Sequence, residues 1–225
     1  MQFFLDTASL DAIRRWQPFG LVEGATTNPA LLAKEAGDPL EQLKQVAEIV
    51  GGPVSAQVTR ESSAEMVAQG EALSAVAPNI VVKVPCTEEG HRAATKLTEK
   101  GVACNITLTF QAAQAIAFAR IPVAYVSLIV GRVDDFGLSS IEEIRRARDV
   151  FDRIGTTTKL LVASLRNPQH VTAAVLGGPD VITVPPSTWE LVYQNPLTMQ
   201  GERDFFAAWE KLPAEARRAY EELGR

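Results

Sequence analysis

The chain has 225 residues, 46% of them hydrophobic and 22% charged, which is enough length and apolar material for a substantial core in one domain and unlike a disordered segment. Its formal net charge is -5, so no overall basic field exists to hold nucleic acid or an anionic membrane, and any anionic ligand must be met by local groups. Two cysteines, Cys86 and Cys104, are too few for a disulfide framework and lack metal-knuckle spacing. The carboxylate of Asp6 interrupts the apolar start before a secretory h-region can form, and no apolar run approaches the length of a membrane span. A cytoplasmic protein with reduced thiols is the expectation.

In chain order, β-like runs fall at Phe3 to Thr7, Gly24 to Asn28, Val54 to Thr59, Ile80 to Pro85, Val102 to Thr109, Ala124 to Val130, Lys159 to Ser164 and Val181 to Pro185. Helical patterns lie between them. Asp38-Pro39 and Asn167-Pro168 each set a capping side chain before a proline at the first helical position, and Ser140 to Glu143 fits a capping box. Each strand-plus-helix unit takes about 28 residues, close to the roughly 250 residues of a (β/α)8 barrel. No glycine-rich dinucleotide fingerprint follows the first strand, so the α/β fold expected is a TIM barrel rather than an open doubly wound sheet. No linker divides the chain: residues 1–225 read as one barrel domain, with 201–225 a charged helical arm carrying Phe205, Phe206 and Trp209 on or near one face. That arm packs either on its own barrel or on a neighbouring subunit.

"NIVVKVP", residues 79 to 85, places a lysine inside an otherwise apolar strand. A cation there costs burial energy unless it meets water, a partner or a substrate. If Lys83 faces the barrel interior, side-chain alternation turns Ile80, Val82 and Val84 toward the helices. The same parity sends Val54, Ala56 and Val58 outward and Ser55, Gln57 and Thr59 inward. On the fifth run it sends Cys104, Ile106 and Leu108 outward and Asn105, Thr107 and Thr109 inward. Phe4 and Asp6, Thr26 and Asn28, Val162 and Ser164, and Thr183 join the interior set. Each polar residue could be a separately satisfied interior group; together they gather at the C-terminal mouth, where barrel enzymes place their chemistry.

Burial lowers a lysine's pKa, and the neutral amine can add to a ketone as a Schiff base whose iminium accepts the electrons of a breaking carbon-carbon bond. Such a cycle needs a proton shuttle, and Asp6 is the inward carboxylate on these runs. Gln57, Thr107 and Asn105 could hold a water or orient hydroxyls. In "ASLRNP", Ser164 and Arg166 precede a helix start, which suits a phosphate. Arg132 in "VGRVDD" could add a second guanidinium, or else pair with Asp134 or Asp135. Metal-assisted cleavage needs several ligands, and the two histidines, His91 and His170, are too few. No cofactor or metal is expected.

The blocks "FLDTA", "TTNPALL", "IVVKVP", "CNITLTF", "YVSLIVGRVDD", "LVASLRNPQHV", "ITVPP" and "NPLTMQG" with "FFAAW" run in one order along nearly the whole chain and resemble the small transaldolases and their relatives, the fructose-6-phosphate aldolases. The resemblance implies a (β/α)8 barrel, a metal-free Schiff-base mechanism and commonly a pentamer or decamer whose C-terminal helix crosses to a neighbour. It makes Lys83 the Schiff-base lysine and Asp6 the acid/base. Asn28 and Asn105 would contact the dihydroxyacetone portion of the substrate, with Thr26 beside them, and Thr107 would help to position the water. Arg132, Ser164 and Arg166 would bind the sugar phosphate. The implied activity is transfer of a dihydroxyacetone unit from a ketose phosphate such as sedoheptulose 7-phosphate to an aldose phosphate, in the pentose phosphate pathway. The alternatives are an aldolase that releases free dihydroxyacetone and a sugar-phosphate-binding barrel without catalysis. Gln57 stands where these transaldolases usually look to carry glutamate, which favours the aldolase. Ile129 and Leu128 stand where the family carries an aromatic and a proline and favour neither, while Asn105 and "GRVDD" resemble the transaldolases.

Overall fold

Eight parallel strands close into a barrel in the computed structural model, which describes residues 1–223. β1 (Gln2–Asp6) leads through α1 (Leu10–Trp16) to β2 (Gly24–Thr26), and α2 (Pro29–Leu32) and α3 (Pro39–Val50) lead on to β3 (Val54–Gln57). Next come α4 (Ser63–Ser74), β4 (Ile80–Pro85), α5 (Glu88–Glu99), β5 (Cys104–Thr109), α6 (Ala112–Phe118) and β6 (Tyr125–Ile129). α7 (Val130–Asp135) and α8 (Ser140–Ile154) precede β7 (Lys159–Ala163), and α9 (Pro168–Gly177) precedes β8 (Val181–Val184). β8 pairs with β1 and completes the ring. The chain forms two compact units, Met1–Trp189 with all eight strands and a second that begins at Glu190. Among the described residues no helix is long and apolar enough to cross a membrane.

The local signals explain most of the helix starts. Asp38 accepts from Leu40 N at 2.7 Å ahead of Pro39, and Asn167 accepts from His170 N at 2.9 Å ahead of Pro168. Asn28 caps α2 in the same way, accepting from Leu31 N at 3.0 Å. The capping box expected from Ser140 to Glu143 does not form. Glu143 instead accepts from Ala112 N (3.0 Å), a free donor at the start of α6, and Ser140 N donates to Asp134 Oδ1 (3.1 Å). A carboxylate within reach of another helix's unpaired amides serves there as well as at its own.

Two apolar layers hold the barrel. The outer one joins strands to helices and contains Ile80, Val82 and Val84 with Val54, Ala56, Val58, Cys104 and Ile106. The inner one is a plug of Phe4, Val81, Tyr125, Leu161, Ala163 and Val181, in which the Phe4 and Tyr125 rings meet edge-on at 5.9 Å. The outward parity inferred from Lys83 therefore holds for β3 and β4. It fails on β7, where Val162 packs outward and Leu161 inward.

The second unit contains the end of α10 (Pro186–Tyr193) together with α11 (Pro196–Glu210) and α12 (Ala214–Glu221). The Trp209 and Tyr220 rings meet at a tilt with centroids 5.0 Å apart, and Trp209 donates to Glu221, whereas Phe205 and Phe206 are exposed. Gly224 and Arg225, the last two residues of the expected arm, lie outside the described residues.

Core packing, and not surface charge, should carry the stability of the barrel. Leu97 of α5 is fully buried, with its methyls against the backbone of Gly70. Leu97→Ala is expected to lower the unfolding free energy in urea by about 2–5 kcal/mol. Loss of the exposed Arg92–Glu88 pair in Glu88→Ala should cost less than about 1 kcal/mol.

Candidate active site

The strand register sets Gln57, Lys83 and Asn105 side by side on β3, β4 and β5, and pairs Asp6 with Thr26 on β1 and β2. Above the apolar plug Asp6, Gln57 and Lys83 open onto a cavity of about 550 Å³ at the C-terminal ends of the strands. Lys83 reaches into it from below and is only 6% exposed. Its Nζ donates to the Thr27 carbonyl at 3.2 Å, and Thr27 is itself tied to the Ser55 carbonyl through its hydroxyl at 2.7 Å. Asp6 accepts from the Thr26 hydroxyl at 2.8 Å, and Thr26 meets the Thr183 hydroxyl at 2.7 Å.

Burial dominates both charges. It pushes the Lys83 ammonium below the ordinary 10.5, against the opposing attraction of Asp6. It pushes the Asp6 carboxyl above 3.8, against Lys83 and then the Thr26 hydroxyl. Desolvation thus moves each group toward its neutral form, and the attraction between them limits the movement. A lysine of this kind can present a free amine, and the carboxylate beside it can take or return a proton.

Eight of the ten residues expected at the site line the cavity: Asp6, Asn28, Gln57, Lys83, Thr107, Arg132, Ser164 and Arg166. Thr26 and Asn105 do not; both are buried below it. The Asn105 amide donates to Ser55 Oγ at 2.9 Å and accepts from Ser127 Oγ at 2.6 Å, so it ties three strands together beneath the lysine. Ser127, with the parity of Tyr125, is a member of this layer that pattern reading passed over. Thr59 lies past the end of β3 and exchanges hydrogen bonds with Gln69 of α4, outside the interior set.

Two departures from simple alternation shape the rim. Leu108 (φ 61°) and Ser164 (φ 68°) adopt the left-handed backbone region, uncommon for residues other than glycine. At Leu108 the β5–β6 register slips, so Leu108 turns into the cavity and Thr109 lands opposite Leu128 of the outer layer. This reverses the parity expected for both. Ser164 enters the cavity by the same device, after a strand whose alternation is opposite to that expected. Ile129 lines the wall without a polar atom.

The cationic end is built by α7 and the β7–α9 loop. Arg166 Nη1 donates to both Asp135 oxygens at 2.7 and 2.5 Å, while Asp134 meets His170 Nε2 at 3.1 Å. Both carboxylates considered as partners of Arg132 are thus engaged elsewhere, and the Arg132 guanidinium lies 6.0 Å from the Phe110 ring centre. Gly131 makes the approach possible. A Cβ there would sit 2.4 Å from the Ser164 carbonyl oxygen and 2.8 Å from Arg166 Nε.

The profile of the Transaldolase/Fructose-6-phosphate aldolase family matches residues 3–224. Three relatives, each named "Probable transaldolase", are similar along almost their whole length. The one from Maridesulfovibrio salexigens is 45% identical over 94% of this chain and 99% of its own. The one from Geobacillus kaustophilus is 42% identical with the same coverage, and the one from Geobacter metallireducens is 43% identical over 95% of this chain and 100% of its own. Among solved structures, the carboxyl transferase domain of Rhizobium etli pyruvate carboxylase with pyruvate superposes with a TM-score of 0.58 at 12% identity, over 82% of this chain and 40% of that one. At that identity the likeness concerns the fold alone.

The balance of burial and charge at Lys83 can be tested by a 13C NMR titration of the lysine side chains. One resonance, absent in Lys83→Met, is expected to titrate below 10.5. Asp6→Asn removes the neighbour that favours the ammonium, so the same resonance should titrate lower still. A midpoint that rises or stays put in Asp6→Asn would show that the two groups do not sense each other.

Proposed function

Because the chain belongs to the Transaldolase/Fructose-6-phosphate aldolase family, we propose that it is a transaldolase that moves a dihydroxyacetone unit from a ketose phosphate to an aldose phosphate through a Schiff base on Lys83. The observation that carries this reading is the desolvated Lys83 amine in one cavity with Asp6, with Arg132 and Arg166 at the cavity's far end. Lys83 Nζ adds to the C2 carbonyl of the ketose, and water leaves to give the iminium. The C3–C4 bond breaks as the C4 hydroxyl proton passes to Asp6; its electrons enter the iminium to form an enamine, and the aldose phosphate departs. The enamine carbon then adds to the acceptor aldehyde. Asp6 returns the proton to the new alkoxide, and water releases the product ketose.

In this cycle Gln57 and Thr107 orient the water, Asn28 and the Asn105 layer fix the three-carbon end, and Arg132, Ser164 and Arg166 take the phosphate. The chain's net charge of -5 makes these local cations the natural anion site. Sedoheptulose 7-phosphate and fructose 6-phosphate are the donors proposed, which places the enzyme in the pentose phosphate pathway. A homo-oligomer joined through the C-terminal helices belongs to the same reading and is supported by the exposed Leu197, Phe205 and Phe206. One observation favours a second reading. Gln57 puts a neutral amide at the cavity wall, as in the aldolase relatives, and would suit protonation of the enamine with release of free dihydroxyacetone.

Incubation with fructose 6-phosphate, with and without erythrose 4-phosphate, separates the readings. Sedoheptulose 7-phosphate formed only with the acceptor is expected; dihydroxyacetone released without it would establish the aldolase. Lys83→Ala should abolish either reaction in a folded barrel, and substantial residual turnover would remove the Schiff-base assignment. Arg166→Ala should lower kcat/KM for phosphorylated donors by roughly 10- to 100-fold, the worth of a charged hydrogen bond. Fructose and fructose 6-phosphate losing equally would place the phosphate elsewhere.

A further inference from the structure

Arg166 is held at two points, by the Asp135 carboxylate and by the His170 imidazole. Its guanidinium donates to Asp135. Its main-chain N–H donates to His170 Nδ1 at 3.3 Å, and His170 Nε2 faces Asp134 Oδ2 at 3.1 Å. Asp134 is fixed in turn, because its other oxygen accepts from Ser140 N at the start of α8. The partners determine the imidazole's tautomer. A main-chain N–H can only donate and a carboxylate only accept, so Nδ1 is the bare nitrogen and Nε2 carries the proton.

We infer that His170 is a positioning residue for the sugar-phosphate site: it passes the fixed position of Asp134 to the backbone of Arg166 and so aims the guanidinium at the ligand's phosphate, while Asp135 steadies the side chain from outside. The Asp135 contact occupies Nη1 and Nε lies beside Gly131, which leaves the Nη2 protons for an anion. Arg166 follows Ser164, whose left-handed backbone turns the chain at the cavity rim. A loop that bends there needs an external tie to hold the next side chains in one direction, and the Asp134–His170 pair supplies it from two helices. His170 does not line the cavity and is not a catalytic residue.

This inference rests on the cavity being a sugar-phosphate site, and the experiment keeps the two apart. Kinetics with fructose 6-phosphate and erythrose 4-phosphate are combined with titration of inorganic phosphate, followed by 31P NMR, on the wild type, His170→Ala, His170→Asn, Arg166→Ala and the His170→Ala/Arg166→Ala double variant. In His170→Ala the KM for fructose 6-phosphate and the Kd for phosphate should rise together by roughly three- to tenfold, the scale of one lost hydrogen bond. Its kcat should stay within about twofold, because the chemical groups are untouched. His170→Asn keeps an acceptor near the position of Nδ1 and should recover most of the loss. On the Arg166→Ala background the His170 change should add nothing. Unchanged phosphate affinity in a folded His170→Ala, or equal losses with fructose and fructose 6-phosphate, overturns the inference. So does 15N NMR of the wild type showing Nδ1 protonated, whether or not the variants fold. Phosphate binding that depends on His170, without any three-carbon transfer, would keep the positioning role and remove the transaldolase; transfer with His170-independent phosphate binding would do the reverse.

Discussion

The structure is organised around a lysine that is almost withdrawn from water. An isolated buried ammonium would cost several kcal/mol, and here three things reduce that cost: the Thr27 carbonyl that accepts from Nζ, the attraction of the Asp6 carboxylate, and a pKa that burial has already moved toward the neutral amine. Each compensation depends on a different strand. β4 carries the lysine, the segment after β2 carries Thr27, and β1 carries Asp6. The register of β1 to β4 brings all three to one mouth, so the sheet is a condition of the lysine's state as well as its container.

Below the lysine the interior changes character within one layer. Phe4, Val81, Tyr125, Leu161 and Val181 form a dry plug, and above it the Asp6–Thr26–Thr183 and Ser55–Asn105–Ser127 chains satisfy one another's polar atoms. A hydrogen-bonded polar layer is stiff, and it separates the apolar floor from the groups that line the cavity. The two ends of the cavity also differ. Near Lys83 the groups are desolvated and drawn toward neutrality, whereas the other end carries the guanidinium groups of Arg132 and Arg166 on exposed side chains. A ligand with a carbonyl at one end and a phosphate at the other matches that division.

Much of this was legible in the residue order. The eight apolar runs, the capping Asp38 and Asn167, and the lysine inside a valine-rich strand gave the barrel and its candidate nucleophile from local periodicity alone. Parity held along β1 to β4, because those strands alternate without interruption, but not past the end of β3, where Thr59 pairs with Gln69. It failed at Leu108 and Val162. In the first case a left-handed residue slips the β5–β6 register. In the second, β7 ends early and Ser164 is turned inward by its own backbone. A two-residue period says nothing about such bends, and neither Leu nor Ser marks a left-handed position as glycine would. The box at Ser140 failed for another reason: the carboxylate of Glu143 had a better use on a different helix.

By itself, then, the sequence determined the eight strands with helical segments between them and the set of side chains from which a site could be assembled, because these follow from periodicity, capping and the cost of burying charge, all of which act over a few residues. What only the tertiary structure decided is who touches whom. Asn105 and Thr26 became supports beneath the cavity, Asp134 and Asp135 went to His170 and Arg166, and Gly131 emerged as the position where any Cβ would meet Ser164. Those outcomes depend on distances between segments 20 or more positions apart, fixed by strand register and helix packing, and no local pattern in the chain encodes them.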